Sequence, residues 1–298
     1  MIITLRGVRG SIPVPGKDTV KYGGNTTCID IMTDEGDRII VDGGSGIRPL
    51  GQELMKTASI QKQPINCSIF ITHTHWDHIQ GLPFFLPLFV PGNNISIYGS
   101  FDPVYMKDLK TILAQQMEYC YFPVRESELN ANIDYNNLRE GQVIQVGSAK
   151  VTPILINHPV LNFGYKIEAN GKKFFFTGDY EPPLNIYSPE DEAYEEYQRL
   201  VDQQKKVLTH FIQDVDVVVA DCQYTREEYP TKKGWGHGTH DSCIEMARDA
   251  NIGALYFTHH DPTRTDNELD LIYEEVMSRS DLPSTQFHIA MEGTKIKL

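Results

Sequence analysis

The segment THTHWDHIQG, residues 72–81, places His73, His75, Asp77 and His78 within six positions, directly after the apolar run 69–71. Imidazole and carboxylate are the ligands that borderline and harder divalent metals take. Alternate residues of an extended chain point the same way, so His73 and His75 can share one ion. The turn that follows can aim Asp77 and His78 at a second. A histidine-rich polar loop is the bland alternative, and the rest of the chain decides against it.

The same arrangement recurs downstream. The run 151–156 is followed by His158, the aromatic run 174–176 by Thr177-Gly178-Asp179, and the run 254–257 by His259-His260. Four apolar runs therefore each deliver a metal-competent side chain just beyond their end. A rigid sheet gathers loop residues at one edge in this way. Pro159 pushes the backbone of His158 toward extended geometry, and Gly178 permits a tight turn before Asp179. Taken singly, NHP or TGD reads as a turn; after four strands they read as one site.

Strands are expected at 2–5, 28–32, 38–41, 69–71, 95–98, 151–156, 163–169, 172–176, 216–220, 254–257 and 286–290, with a hairpin turn at Asn170-Gly171. Helices are expected at 47–55, 103–117, 189–211, 241–250 and 267–277. The mixture predicts one α/β domain. The net charge of −13 repels polyanions, so extended nucleic acid is not expected, although a small anion held by metals is. Five dispersed cysteines without a C-x-x-C read as buried thiols in a reducing compartment. With no signal-peptide pattern and no apolar run long enough for a bilayer, a cytoplasmic protein is expected, with no membrane partner.

HTHWDHIQGLP, with VDGGSG before it and NHP, TGD and FTHH after it, resembles the metallo-β-lactamase fold superfamily over almost the whole length. The resemblance implies an α/β fold, a four-layer αβ/βα sandwich, as one domain over 1–298 with helical insertions near 103–122 and 189–213. It implies that His73, His75 and His158 hold one metal, that Asp77, His78 and His259 hold the other, and that Asp179 bridges them. The register of FTHH favours His259, leaving His260 as a neighbour of the site or an ordinary polar residue. The implied cofactor is a pair of divalent ions, zinc first, with manganese or iron as alternatives.

Two adjacent ions lower the pKa of a shared water toward neutrality, and Asp77 can orient that hydroxide for attack on phosphorus. What the ions do not supply is a proton for the leaving group. GWGHGTHDS, residues 234–242, sets His237 among glycines ahead of a helix that Thr239 could cap; a flexible loop with an incidental histidine is the alternative. The superfamily's phosphodiesterase branch, which includes tRNase Z, has a similar Gly-His-Thr loop, and the resemblance makes His237 the general acid. An alkoxide needs that proton, whereas a thiolate leaves without it. His240 is read as a neighbour of the site or part of the helix start, His210 and His288 as packing or surface.

RGVRGSIPVPG, QQMEYCYFPV and NHPVLNFGYKI resemble a bacterial and phage group of these hydrolases, some of which cleave cyclic nucleotides or ribose cyclic phosphates. The expected reaction is hydrolysis of a small cyclic phosphodiester, a cyclic nucleotide above all. Arg6 and Arg9 are candidates for phosphate contact, against a structural role. Tyr119 and Tyr121, with Phe122, are candidates for base stacking, against a place in the core. The rivals are a tRNA 3′-processing endonuclease, a glyoxalase II-like thioesterase and a metal-stabilised interaction scaffold. A β-lactamase is disfavoured because Asp179 stands where that group places a cysteine. A homodimer is expected by resemblance alone.

Overall fold

The computed structural model describes all residues 1–298. The first six strands are β1 (Ile2–Gly7), β2 (Cys28–Met32), β3 (Arg38–Val41), β4 (Asn66–Phe70), β5 (Asn94–Gly99) and β6 (Asn132–Asn137). Seven more follow: β7 (Ile144–Val146), β8 (Ala149–Ile156), β9 (Asn162–Ala169), β10 (Lys172–Phe176), β11 (Val217–Asp221), β12 (Ala254–Thr258) and β13 (Gln286–Ile289). The last strand, β14 (Lys295–Lys297), returns to the first sheet, giving the orders β14-β1-β2-β3-β4-β5-β6 and β13-β12-β11-β10-β9-β8-β7. From β14 inward in one sheet, and from β7 inward in the other, three antiparallel pairings give way to three parallel ones.

Side-chain alternation assigns the layers. Phe174 and Phe176 point between the sheets, where they join Tyr165, Phe70, Ile3 and Ile31 in one buried cluster. Phe175, on the other face of β10, packs with Leu208, Ile244 and Val276, from α4 (Tyr194–Phe211), α5 (His240–Asp249) and α6 (Asp266–Met277). The outer face of the first sheet is covered by Ile47, Leu50 and Leu54 of α1 (Ile47–Gln61). The result is the expected sandwich of helix, sheet, sheet and helix. Each large side chain buried this way contributes about 1.5–3 kcal/mol, so the shared inner layer holds the sheets in fixed register.

Some local expectations change. The helix expected over 103–117 shrinks to α3 (Leu109–Gln115), following the short α2 (Trp76–Ile79) in chain order. Asp102 binds the backbone N–H groups of Val104 and Tyr105, and Met106 takes φ of 54°, so the chain turns before Asp108 caps the helix through Thr111. α4 likewise starts at Tyr194, because Asp191 ties back to Ser188. The polar strand β6 and the three-residue strands β7 and β14 carried too weak or too short an apolar signal to be expected. Cys120 is exposed, while the other four cysteines are buried thiols. No helix is long and apolar enough to cross a membrane.

Candidate metal centre

Parallel strands leave their C-terminal ends on one edge, and that edge carries the cluster. Asp42 follows β3, His73 follows β4, Asp179 follows β10, Asp221 ends β11 and His259 follows β12. His158, beyond β8, reaches the same place. His73, His75, His158 and Asp179 bring one ligand atom each to within 4.8 Å of one another, as do Asp77, His78, Asp179 and His259. The Asp179 carboxylate lies between the two sets: Oδ2 is 3.4 Å from His73 Nε2, while Oδ1 is 3.0 Å from His78 Nε2 and 3.1 Å from His259 Nε2. One oxygen faces each set, so Asp179 could serve a cation in either.

The fit to cations rests on two atoms. His78 Nδ1 is 2.7 Å from Asp42 Oδ2, which assigns the proton to Nδ1 and leaves a lone pair on Nε2. That lone pair faces Asp179 Oδ1, and both atoms are buried without a hydrogen-bond partner. Two acceptors turned toward each other in a dry site are costly unless a cation lies among them. The clusters are thus compatible with a binuclear site: one set could hold a metal through His73, His75 and His158, the other through Asp77, His78 and His259.

Electrostatics point the same way. Burial lowers the pKa of His75 to about 4 and that of His158 to about 3, keeping both imidazoles neutral as ligands must be. Burial also pushes His78 and His259 down, but Asp179 with Asp77 outweighs it and raises both, His259 to about 9. Those carboxylates attract positive charge, and cations would meet it in place of protons. Asp77 is held far below the usual carboxylate range: burial opposes ionisation, and His78 and His259 overcome it.

The backbone is shaped to the cluster. Among non-glycine residues with positive φ, Ser11 (65°), Asp42 (63°) and His259 (60°) lie at the site. Such conformations persist where the surroundings over-determine them. Ser11 N–H donates to Asp77 Oδ2 at 2.7 Å, and Asp42 also accepts from the N–H and hydroxyl of Thr72. A Cβ on Gly10 would stand 2.4 Å from the His259 ring, and one on Gly236 would stand 2.3 Å from His158 Nδ1. These two positions need glycine for close approach.

His237 arrives from the opposite wall. Its Nδ1 donates to Asp221 Oδ2 at 2.8 Å and its ring stacks on His259 at 4.8 Å. Burial works against a charged imidazole here, but Asp221 outweighs it and raises the pKa of His237. The loop that carries it is clamped by Glu181, which accepts from Gly234 N–H at 2.9 Å, Gly236 N–H at 2.8 Å and the Tyr229 hydroxyl at 2.8 Å. Glu181→Ala should leave these donors without that acceptor, at about 1–3 kcal/mol for each one kept from water. A clear drop in Tm by calorimetry, with metal content retained, is the expected result.

The structure brings together His73, His75, Asp77, His78, His158, Asp179, His259 and His237, the residues expected from the sequence to form one site. Sequence reasoning missed Asp42, Asp221, Glu181 and Gln223, whose Oε1 is 3.0 Å from His259 Nδ1. Asp221 obeyed the rule that found the others, a charged group ending a buried strand. His260 turns away, with Nε2 2.8 Å from the Ala290 carbonyl. His240 is buried against Phe257, His288 stacks on Tyr256, and His210 is exposed.

The substrate candidates fare differently. Arg6 pairs with Asp30 and Glu53. Arg9 is fully buried and donates to the carbonyls of Gly23 and Arg264, so it fastens loops instead of facing a phosphate. Tyr119 is exposed, hydrogen-bonded to Glu128 and stacked by Arg125 at 4.0 Å, and Tyr121 is exposed with its N–H bonded to Glu118. Neither tyrosine has a contact with the cluster.

The family model described as "Beta-lactamase superfamily domain" matches residues 37–260. The chain is 26% identical to ribonuclease Z of Oceanobacillus iheyensis over 251 residues, covering 73% of this chain and 78% of that protein. Among solved structures, the metallo-β-lactamase fold protein YhfI from Bacillus subtilis superposes with a TM-score of 0.65 at 16% identity, over 99% of this chain and 98% of that one. Unliganded yeast PDE1 superposes at 0.62 with 18% identity, over 100% and 99%. At those identities the structures show a shared fold, and the family match extends from β3 to the site histidine after β12. The chain belongs to the beta-lactamase superfamily, as a metal-dependent hydrolase.

Proposed function

We propose that the chain is a binuclear phosphodiesterase whose substrate is a small cyclic phosphodiester, a cyclic nucleotide above all. The observation that carries the reaction class is the His237–Asp221 pair beside the cluster. Hydrolysis of a phosphodiester breaks a P–O bond and leaves an alkoxide, which departs poorly without a proton. With Nδ1 engaged by Asp221, His237 carries the transferable proton on Nε2, and that proton goes to the ribose oxygen as the bond electrons return to it. Asp77 fixes the attacking water by the carboxylate that Ser11 N–H holds in place. Two divalent ions, zinc by preference, would be held by His73, His75 and His158 and by Asp77, His78 and His259, with Asp179 open to both, and would supply a nucleophile at neutral pH and offset charge on the attacked phosphate.

The cyclic substrate is favoured by the net charge of −13, which works against gripping a long polyanion. The ribonuclease Z relative supports a second reading equally well, cleavage of a linear RNA such as a tRNA 3′ trailer, and it weighs against the expectation that extended nucleic acid is excluded. One panel separates the two. Protein loaded with zinc or manganese is incubated with 3′,5′- and 2′,3′-cyclic nucleotides, a tRNA precursor and bis(4-nitrophenyl) phosphate. Turnover of cyclic nucleotides alone supports the first reading, and trailer release without it moves the substrate to RNA. Inertness toward every diester with both metals bound overturns the reaction class.

A further inference from the structure

We propose that Trp76 and Trp235 form two walls of a subsite for a planar aromatic ring, the nucleobase of the phosphate that the cluster takes. This rests on the phosphodiester reading above. They are the only tryptophans in the chain, and both are on the surface, 68% and 57% exposed. Indole is among the largest apolar groups, with a flat face on which an aromatic ring can stack and an N–H for a polar partner.

Both tryptophans stand next along the chain to residues of the cluster or of its wall. His75 is the exposed member of its ligand set, so the cluster opens on its side, and Trp76 is the next residue. Trp235 lies beside Gly236, whose carbonyl is 2.9 Å from His158 Nδ1, and two positions before His237. One exposed indole thus stands at the start of α2, next to His75, and the other on the loop that leads to His237. Ile12, which follows the Ser11 that donates to Asp77, adds a further exposed apolar group, 56% exposed. An apolar rim over a charged floor matches a ligand with a flat body and an anionic group.

The indoles are held, not merely exposed. Glu181, 3% exposed, accepts from Gly234 and Gly236, the residues on either side of Trp235. A buried carboxylate is costly unless it is hydrogen-bonded, and here its bonds fix the backbone from which an exposed indole projects. Lys232 Nζ lies 4.1 Å from the centroid of that indole, over one face, which leaves the opposite face for a ring and adds positive charge beside it. Trp76 is anchored by the buried Asp77 and His78 that follow it on α2. Such preorganisation lowers the entropy lost on binding.

The test uses the tryptophans as their own reporters. Zinc-loaded protein is titrated with adenosine 5′-monophosphate and with ribose 5-phosphate, which differ only in the base, by intrinsic fluorescence and by calorimetry. Saturable quenching by the nucleotide is expected, with ribose 5-phosphate binding at least about tenfold more weakly. Trp76→Ala and Trp235→Ala should each weaken nucleotide binding about fivefold or more, leave ribose 5-phosphate unchanged, and be rescued by phenylalanine. Equal affinity for the two ligands, no nucleotide binding, or nucleotide affinity unmoved in both alanine variants overturns the subsite. Because these are binding measurements, loss of base discrimination alongside intact diester turnover removes only the subsite, whereas absent diester turnover removes the reaction class.

Discussion

Asp77→Ala is expected to lower turnover by at least about a thousandfold, the scale on which one charged group acts in a preorganised site. Three roles converge on this carboxylate. It offers an oxygen to the ligand set of His78 and His259, lying 3.5 Å from the first and 3.2 Å from the second. It accepts from Ser11 N–H, and so fixes the loop that packs Gly10 on His259. In the proposed reaction it is also the group that orients the attacking water. The variant keeps His73, His75 and His158 intact, so metal analysis should show loss concentrated in one site, with about one ion retained per chain. Full turnover by Asp77→Ala would remove the binuclear reading, because nothing else in that set carries a negative charge except the shared Asp179.

What the sequence made legible follows from how each part is held. Candidate ligands at the ends of apolar strands could be read because two strong signals coincide, a buried run and a metal-type residue just after it. The two-sheet core was legible for the same reason: Phe174 to Phe176 alternate between layers and cannot be placed otherwise. Residues that act by holding a ligand left a weaker trace. Asp42 sits in a glycine turn and Glu181 two positions beyond Asp179, and an isolated carboxylate in a turn looks like any solvated one. Only the fold reveals that the first orients His78 and the second clamps the loop of His237. Arg9 is a case the sequence left open. Phosphate contact and a structural role were both open to it from the sequence, and the fold takes the second, engaging it with backbone carbonyls inside the protein.

His237→Ala is the second large effect, and its dependence on the leaving group is the sharper test. With a ribose oxygen departing, loss of the general acid should lower kcat by about 10²–10⁴-fold while both metals remain bound. With 4-nitrophenolate departing from bis(4-nitrophenyl) phosphate, the leaving group is stable as an anion, so the same variant should lose little. A merely structural histidine would depress both substrates together. The pH profile adds a second coordinate. Asp221 raises the pKa of His237, so the proton-bearing form persists above the usual histidine range and is lost as pH rises through that raised value. Activity on the ribose substrate should therefore fall on the alkaline side. Asp221→Asn removes the negative charge that raises the pKa, and the alkaline limb should move to lower pH while the nitrophenyl substrate shows no such displacement. An unmoved limb in Asp221→Asn would detach it from His237, and equal losses on both substrates in His237→Ala would reduce that residue to part of the wall.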